Sequence, residues 1–207
     1  MAHQTHQPGP SPQDLLGTAG EHFRAVVARV TEDHLGRPTP CPDWNVLELI
    51  GHVTSGSQMA AAVADGAARD EAIGLLATDF VGNDPLGAVD TALANQRRAL
   101  GADGIDERIC QHPAGDMPGS QLLGFRISDL LVHQWDLAHA IGIETTLDAA
   151  AVQRVWDVIS PMAPIIAQLG VFGAGPSGTL DDSAPLDLRL LDLMGRRPSV
   201  VAANSVS

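Results

Sequence analysis

Ser128-Asp129-Leu130-Leu131-Val132-His133-Gln134-Trp135-Asp136-Leu137-Ala138-His139 is the stretch from which the rest of the chain can be read. Asp129, His133 and Asp136 stand at i, i+4 and i+7, so a helix of about 3.6 residues per turn points all three the same way. Leu130, Leu131, Val132 and Leu137 between them are apolar, which predicts a largely packed helix. A carboxylate in such surroundings is costly unless it is paired or bound to a cation. Two readings follow. Either the face holds a metal ion, or His133 hydrogen-bonds within the core while Asp129 and Asp136 reach solvent or a capping position.

Outward from this helix, the apolar spacing predicts more helices and very little strand. Leu15, Leu16, Ala19, Phe23, Val26, Val27 and Val30 give a first amphipathic helix from Pro12 to about Leu35, with Gly36 as its C-cap. Pro38, Pro40 and Pro42 interrupt it. Asp43 is the expected N-cap of a second helix, opened by Trp44 and running through Leu49, Ile50 and Val53 to about Ala68. A third is expected from Pro85 to Leu100, then an irregular connection from Gly101 to Gly119. The quoted face belongs to a helix from about Ser120 to Ile141, ended by Gly142. A fifth runs from Ala149 to about Leu169, kinked or divided at Pro161 and Pro164, and a short last one from Pro185 to Met194. The glycine-rich run from Gly170 to Gly178 lacks the Lys-Ser/Thr of a phosphate loop and reads as an ordinary loop. Residues 1–11 and 199–207 read as flexible tails around one domain, 12–198.

Composition excludes several partners. With 12 basic against 25 acidic residues and a net charge of −13, the chain has no basic face for nucleic acid or an anionic membrane surface. No apolar run approaches the roughly 20 residues of a spanning helix, and the N-terminus has no basic stretch leading into an apolar one. A cytoplasmic protein is expected, with a small molecule as its partner and a second copy of the chain as a candidate one. Cys41 and Cys110 form no CxxC pair and read as ordinary thiols. His3 and His6 are bystanders in the tail, and His139 lies past the end of the face. Trp44 and Trp135 are expected in the core.

Long helices with apolar stripes suggest a bundle, whose core is a common place for ligands from facing helices. His52 lies at the edge of the second helix's stripe, between Gly51 and Gly56. It is a hydrogen-bonded core histidine or, if the second and fourth helices face each other, the third donor to one ion with Asp129 and His133. Two imidazoles and a carboxylate suit zinc, iron, nickel or manganese and leave positions open, as catalytic sites do. Asp136, one turn past His133, could orient a ligand from behind. Arg126 is the best-placed cation for an anionic substrate, with a surface role as its competing reading.

Three ordered motifs carry a resemblance. Thr39-Pro-Cys-Pro-Asp-Trp44 with Leu49-Ile-Gly-His52, the Asp129-to-Ala138 stretch, and Arg189-Leu-Leu-Asp-Leu-Met-Gly195-Arg-Arg-Pro198 resemble the actinobacterial metal-binding family related to the N-terminal domain of mycothiol-dependent maleylpyruvate isomerase, within the DinB-like superfamily. The resemblance spans residues 12 to 198. It implies an all-α, DinB-like four-helix bundle with additional short C-terminal helices. It also implies a divalent metal, zinc first and nickel or iron as alternatives, held at the positions of His52, Asp129 and His133. The family's carboxylate is commonly Glu, and Asp129 is one methylene shorter. Its chemistry is the binding of a low-molecular-weight thiol, often mycothiol, as thiolate for transfer or isomerisation. No counterpart of the isomerase's separate C-terminal domain is expected in this stretch, so its own reaction is not carried over. A metal-dependent thiol transferase or isomerase-like enzyme is the first expectation. A non-catalytic metal-binding or sensing module and a metal-free structural helical dimer are the alternatives.

Overall fold

The computed structural model describes residues 9–163 and 175–198. The expected tails at 1–8 and 199–207, the far end of the fifth helix and most of the glycine-rich run lie outside them.

The first helix, α1 (Pro12–Val27), is started by a reciprocal cap: Asp14 N–H donates to the Ser11 hydroxyl oxygen, and Ser11 N–H donates to the Asp14 carboxylate. It stops eight residues before the expected Leu35, because Thr31 is extended and its N–H turns back onto His34 Nδ1 at 3.1 Å. A single 3-10 turn, Glu32–His34, replaces the missing helix. The second helix, α2 (Val46–Ala64), is capped by Asn45 with Glu48 rather than by Asp43. Trp44 therefore stands before the helix, in a tight loop whose ends are pinned by Thr39 N–H to Trp44 C=O and Val46 N–H to Arg37 C=O.

A short helix absent from the sequence expectation, α3 (Arg69–Leu76), follows; it buries only Ala72 and leaves Ile73 and Leu76 exposed. Then come α4 (Pro85–Leu100) and, inside the expected irregular connection, a hairpin. Its strands β1 (Ile109–His112) and β2 (Gly115–Pro118) pair antiparallel, Ile109 opposite Pro118 and Cys110 opposite Met117. The long central helix α5 (Gly119–Ile141) ends as expected at Gly142, whose φ of 75° is the left-handed conformation that favours glycine, while Ile143 N–H reaches back to Ala138 C=O. Within the described residues the fifth expected helix begins as α6 (Ala149–Ile159) and is divided, as expected, at Pro161 by one 3-10 turn, Ser160–Met162. The last is α7 (Leu186–Leu193).

Helices α1, α2, α4 and α5 make the bundle, α1 and α2 each packing on both α4 and α5. The all-α expectation holds, apart from the small hairpin lying on α2, α3 and α5. Phe23, Leu49, Ile50, Leu100, Leu122, Leu123, Ile127, Leu130 and Leu131 are fully buried between the four helices. At about 25 cal/mol per Å² of apolar surface removed from water, side chains of this size each contribute about 1.5–3 kcal/mol. That packing fixes the rotation of α2 against α5. Among the described residues, no helix is long and apolar enough to cross a membrane.

Candidate metal centre

His52 from α2 and Asp129 and His133 from α5 meet where those helices face each other. His52 Nε2 lies 3.2 Å from Asp129 Oδ1, and His133 Nε2 lies 3.3 Å from the same oxygen. One donor atom from each residue falls within 4.8 Å of the others. An ion with donors at about 2.0–2.1 Å in tetrahedral arrangement sets those donors about 3.3–3.4 Å apart. Both imidazoles thus present Nε2 to one carboxylate oxygen at the spacing of ligands around an ion. The donor set, two imidazoles and a carboxylate, is one that zinc, nickel and iron accept, so the residues present fit such an ion.

Each donor is held from behind. His133 Nδ1 is 2.9 Å from Asp136 Oδ2, which fixes the ring so that Nε2 faces the centre. Asp136 is fully buried and is gripped by Arg196, whose Nε donates to Oδ1 at 3.0 Å and whose Nη2 donates to Oδ2. Cys41 Sγ completes this rear cluster, 3.3 Å from Asp136 Oδ2 and 3.1 Å from Arg196 Nη2. Cys41, His133 and Asp136 also lie close enough for an ion. Arg196 already occupies both oxygens of Asp136, however, and puts a positive charge where a second ion would sit.

Arg126 supports the other carboxylate oxygen. Its Nη1 is 3.1 Å from Asp129 Oδ2, while Nε donates to Gln96 Oε1 at 2.7 Å and Nη2 to Ser57 Oγ at 3.1 Å. The surface role is thereby corrected: Arg126 is buried, because Gly56 leaves room for it. A Cβ on Gly56 would stand 2.7 Å from Arg126 Nη1. Asp129 Oδ2 has no well-aligned hydrogen bond in spite of this neighbour, so the carboxylate retains accepting capacity.

The charges are coupled. Burial alone would push the Asp129 carboxyl up, but Arg126 and His133 outweigh it and hold it well below the usual carboxylate range. Burial alone would lower the His133 imidazole, but Asp129, Asp136 and Cys41 raise it well above its usual value. Without a metal the cluster is therefore an imidazolium between two carboxylates. For Asp136 burial again opposes ionisation, and His133 and Arg196 keep it ionised.

Trp44 and Trp135 are both half-buried and packed against the core. Trp44 stacks on His52 with ring centroids 4.2 Å apart and planes 27° from parallel, forming a wall of the centre. Trp135 stacks on His139 at 4.9 Å, in a pair separate from the three donors. Beside Trp44 and His52 opens a groove of about 580 Å³, bounded on its far side by Leu76 at the end of α3 and by residues 77–82 that follow it. Cys110 lies buried in β1, where burial pushes its thiol up and leaves it unreactive. Cys41 and Arg196 were missed as site residues. Their only signal was membership of the first and last of the three motifs.

A family described as the mycothiol maleylpyruvate isomerase N-terminal domain matches residues 16–138, a span holding all three donors. The chain belongs to this family. Two uncharacterized proteins of Mycobacterium tuberculosis, from strains CDC 1551 / Oshkosh and H37Rv, are each 34% identical to it over 172 residues, covering 81% of this chain and 84% of their own. Crystal structures of mycothiol-dependent maleylpyruvate isomerase and of a His-to-Ala variant of it share the fold, with TM-scores of 0.56 and 0.61. Both are 15% identical and align over 85% of this chain and 77% of theirs. The mycothiol-isomerase family and its mostly helical, DinB-like fold are thus common to this chain and those enzymes.

Proposed function

We propose that His52, Asp129 and His133 bind one divalent metal ion, zinc first, and that the protein is a thiol-dependent small-molecule transferase or isomerase-like enzyme using mycothiol or a related thiol. The observation that carries the reading is the convergence of two imidazole Nε2 atoms on Asp129 Oδ1. An ion held there supplies a Lewis acid that favours the thiolate form of a bound thiol at neutral pH.

The chain's own residues do the rest. Asp136, fixed by Arg196, keeps the proton of His133 on Nδ1 and leaves Nε2 free to donate its lone pair. Arg126 holds Asp129 ionised and in place. Three protein donors leave positions open, and the groove beside His52 gives a small molecule access to them. A non-catalytic sensing module predicts a closed coordination sphere and no such opening, so the groove favours the enzyme. Relatives that act with mycothiol support the thiol.

The ion pair of Arg126 with Asp129 supports a second reading, in which the charges of the cluster satisfy one another and no metal binds. Metal content separates the two. Elemental mass spectrometry on protein purified without an affinity tag is expected to give about one ion per chain, lost in His52→Ala and in His133→Ala. No ion in the parent, even after reconstitution, would overturn the metal reading. Given a loaded site, the cobalt-substituted protein is expected to develop a thiolate-to-metal charge-transfer band when mycothiol is added; absence of the band would overturn the thiol reading.

A further inference from the structure

The groove beside His52 has a composition that the metal centre does not require. Its apolar surface comes from Trp44, Leu47, Leu76 and Phe80, and both leucines are unusually exposed, at 38% and 41%. Large aliphatic side chains left open on one concave surface mark a place where something apolar docks. The charged side chains of the lining, besides His52, are Glu48 and Asp79. Each uses one oxygen on backbone: Glu48 Oε2 accepts from Asn45 N–H at 2.8 Å, and Asp79 Oδ1 accepts from Val81 N–H at 2.9 Å. Among the described residues neither is paired with a cation, and no arginine lines the groove.

Arg37, whose C=O accepts from Val46 N–H, is the exposed cation on the neighbouring loop, and its side chain is not part of the lining. The chain has no lysine at all. The two arginines closest to the centre, Arg126 and Arg196, are buried and committed to Asp129 and Asp136. An anionic substrate entering here would lose water, pass two unpaired carboxylates and meet no guanidinium in the lining. An organic cation would place its apolar body on the leucines and Trp44 and its positive end against the carboxylates, with the indole and phenyl faces adding cation–π attraction.

We propose that this groove binds an organic cation with an apolar body, such as an alkyl- or arylammonium compound, and discriminates against organic anions through Glu48 and Asp79. That this ligand is the second substrate of the metal centre rests on the function proposed above; the binding preference itself does not.

Three probes of one size separate charge from shape and bind metals weakly: benzyltrimethylammonium, benzyl alcohol and benzenesulfonate. Titration calorimetry at low ionic strength, on metal-free and on reconstituted full-length protein, is expected to rank them in that order. The cation should bind about tenfold more tightly than the sulfonate, the difference that two exposed carboxylates at contact range produce. In the double variant Glu48→Gln/Asp79→Asn, which keeps both capping oxygens, the ratio should fall to about two to three. Added salt should shrink it in the parent only. Equal or tighter binding of the sulfonate to the metal-free parent, an unchanged ratio in the double variant, or no binding of any probe would overturn the proposal. Because the metal-free arm stands alone, a failure of the metal reading and a failure of the groove give different results.

Discussion

Replacing Arg196 by methionine removes a guanidinium from one of the most enclosed charges in the molecule. Asp136 is 0% exposed and the Arg196 side chain 9%. Arg196 supplies the hydrogen bond to Asp136 Oδ1 and one of those to Oδ2; His133 and Cys41 both contact Oδ2. The variant therefore leaves Oδ1 without a donor and the carboxylate with only His133 and the Cys41 thiol as partners. Breaking a buried pair by removing one partner costs about 3–5 kcal/mol, since the remaining charge stays desolvated. Against a total stability of about 5–15 kcal/mol for a domain, that is a large share. With a urea m-value of about 2–3 kcal/mol/M for a chain of this size, the unfolding midpoint of the metal-free protein, followed by far-ultraviolet circular dichroism, should fall by about 1–2 M. The exposed pair of Arg24 with Asp90 is the reference, and Arg24→Met should leave the midpoint within error of the parent. Adding Asp136→Asn to Arg196→Met should recover part of the loss, because the orphaned group is then neutral. A midpoint in Arg196→Met no lower than in Arg24→Met would refute the reasoning, as would a double variant whose losses simply add.

Other outcomes follow from the same site. Arg196→Met and Asp136→Asn should each weaken metal binding by about 10–100-fold, read by competition with a chromophoric chelator, because His133 loses the group that fixes its tautomer. In the metal-free protein Asp129, held below 3.8, stabilises the fold at pH above that value and loses the contribution as pH falls through its lower folded pKa. His133, raised above 6.5, stabilises fully below that pH and loses the contribution as pH rises through its folded value. The gap in urea midpoint between parent and Asp129→Asn should therefore be widest between pH 3.8 and 6.5 and narrow on both sides. Metal affinity should instead climb by about tenfold per pH unit while His133 still carries the proton that the ion displaces. Gly56→Ala should cost about 1–3 kcal/mol in chemical denaturation, because its methyl group meets the buried Arg126 Nη1.

What the sequence disclosed follows the reach of local geometry. Asp129 and His133 could be paired from their i, i+4 spacing, and the helix end at Gly142 was legible because it is a one-turn event. The bundle was legible through long apolar stripes. Helix α3 was not, since it buries Ala72 alone and offers almost no stripe. Each strand of the hairpin is four residues long, too short for alternation to stand out. The contact of Trp44 with His52 was not legible, because it depends on the cap falling at Asn45, which sets Trp44 in a loop against His52. Arg126 carries no local sign of burial; its chamber is made by Gly56 on another helix. Cys41 and Arg196 lie in loops 155 positions apart, and no local pattern announces that the fold brings them together.

The hydrogen bond from Arg196 to Cys41 joins positions 155 apart in the chain, and the one to Asp136 spans 60. For a protein made from its N-terminus, the three donors are all synthesised by residue 133, well before the clamp that orients one of them. Until Arg196 has emerged and α7 has docked, Asp136 lacks the guanidinium that holds it against His133. On the metal reading proposed above, tight capture of the ion is thus tied to completion of the fold.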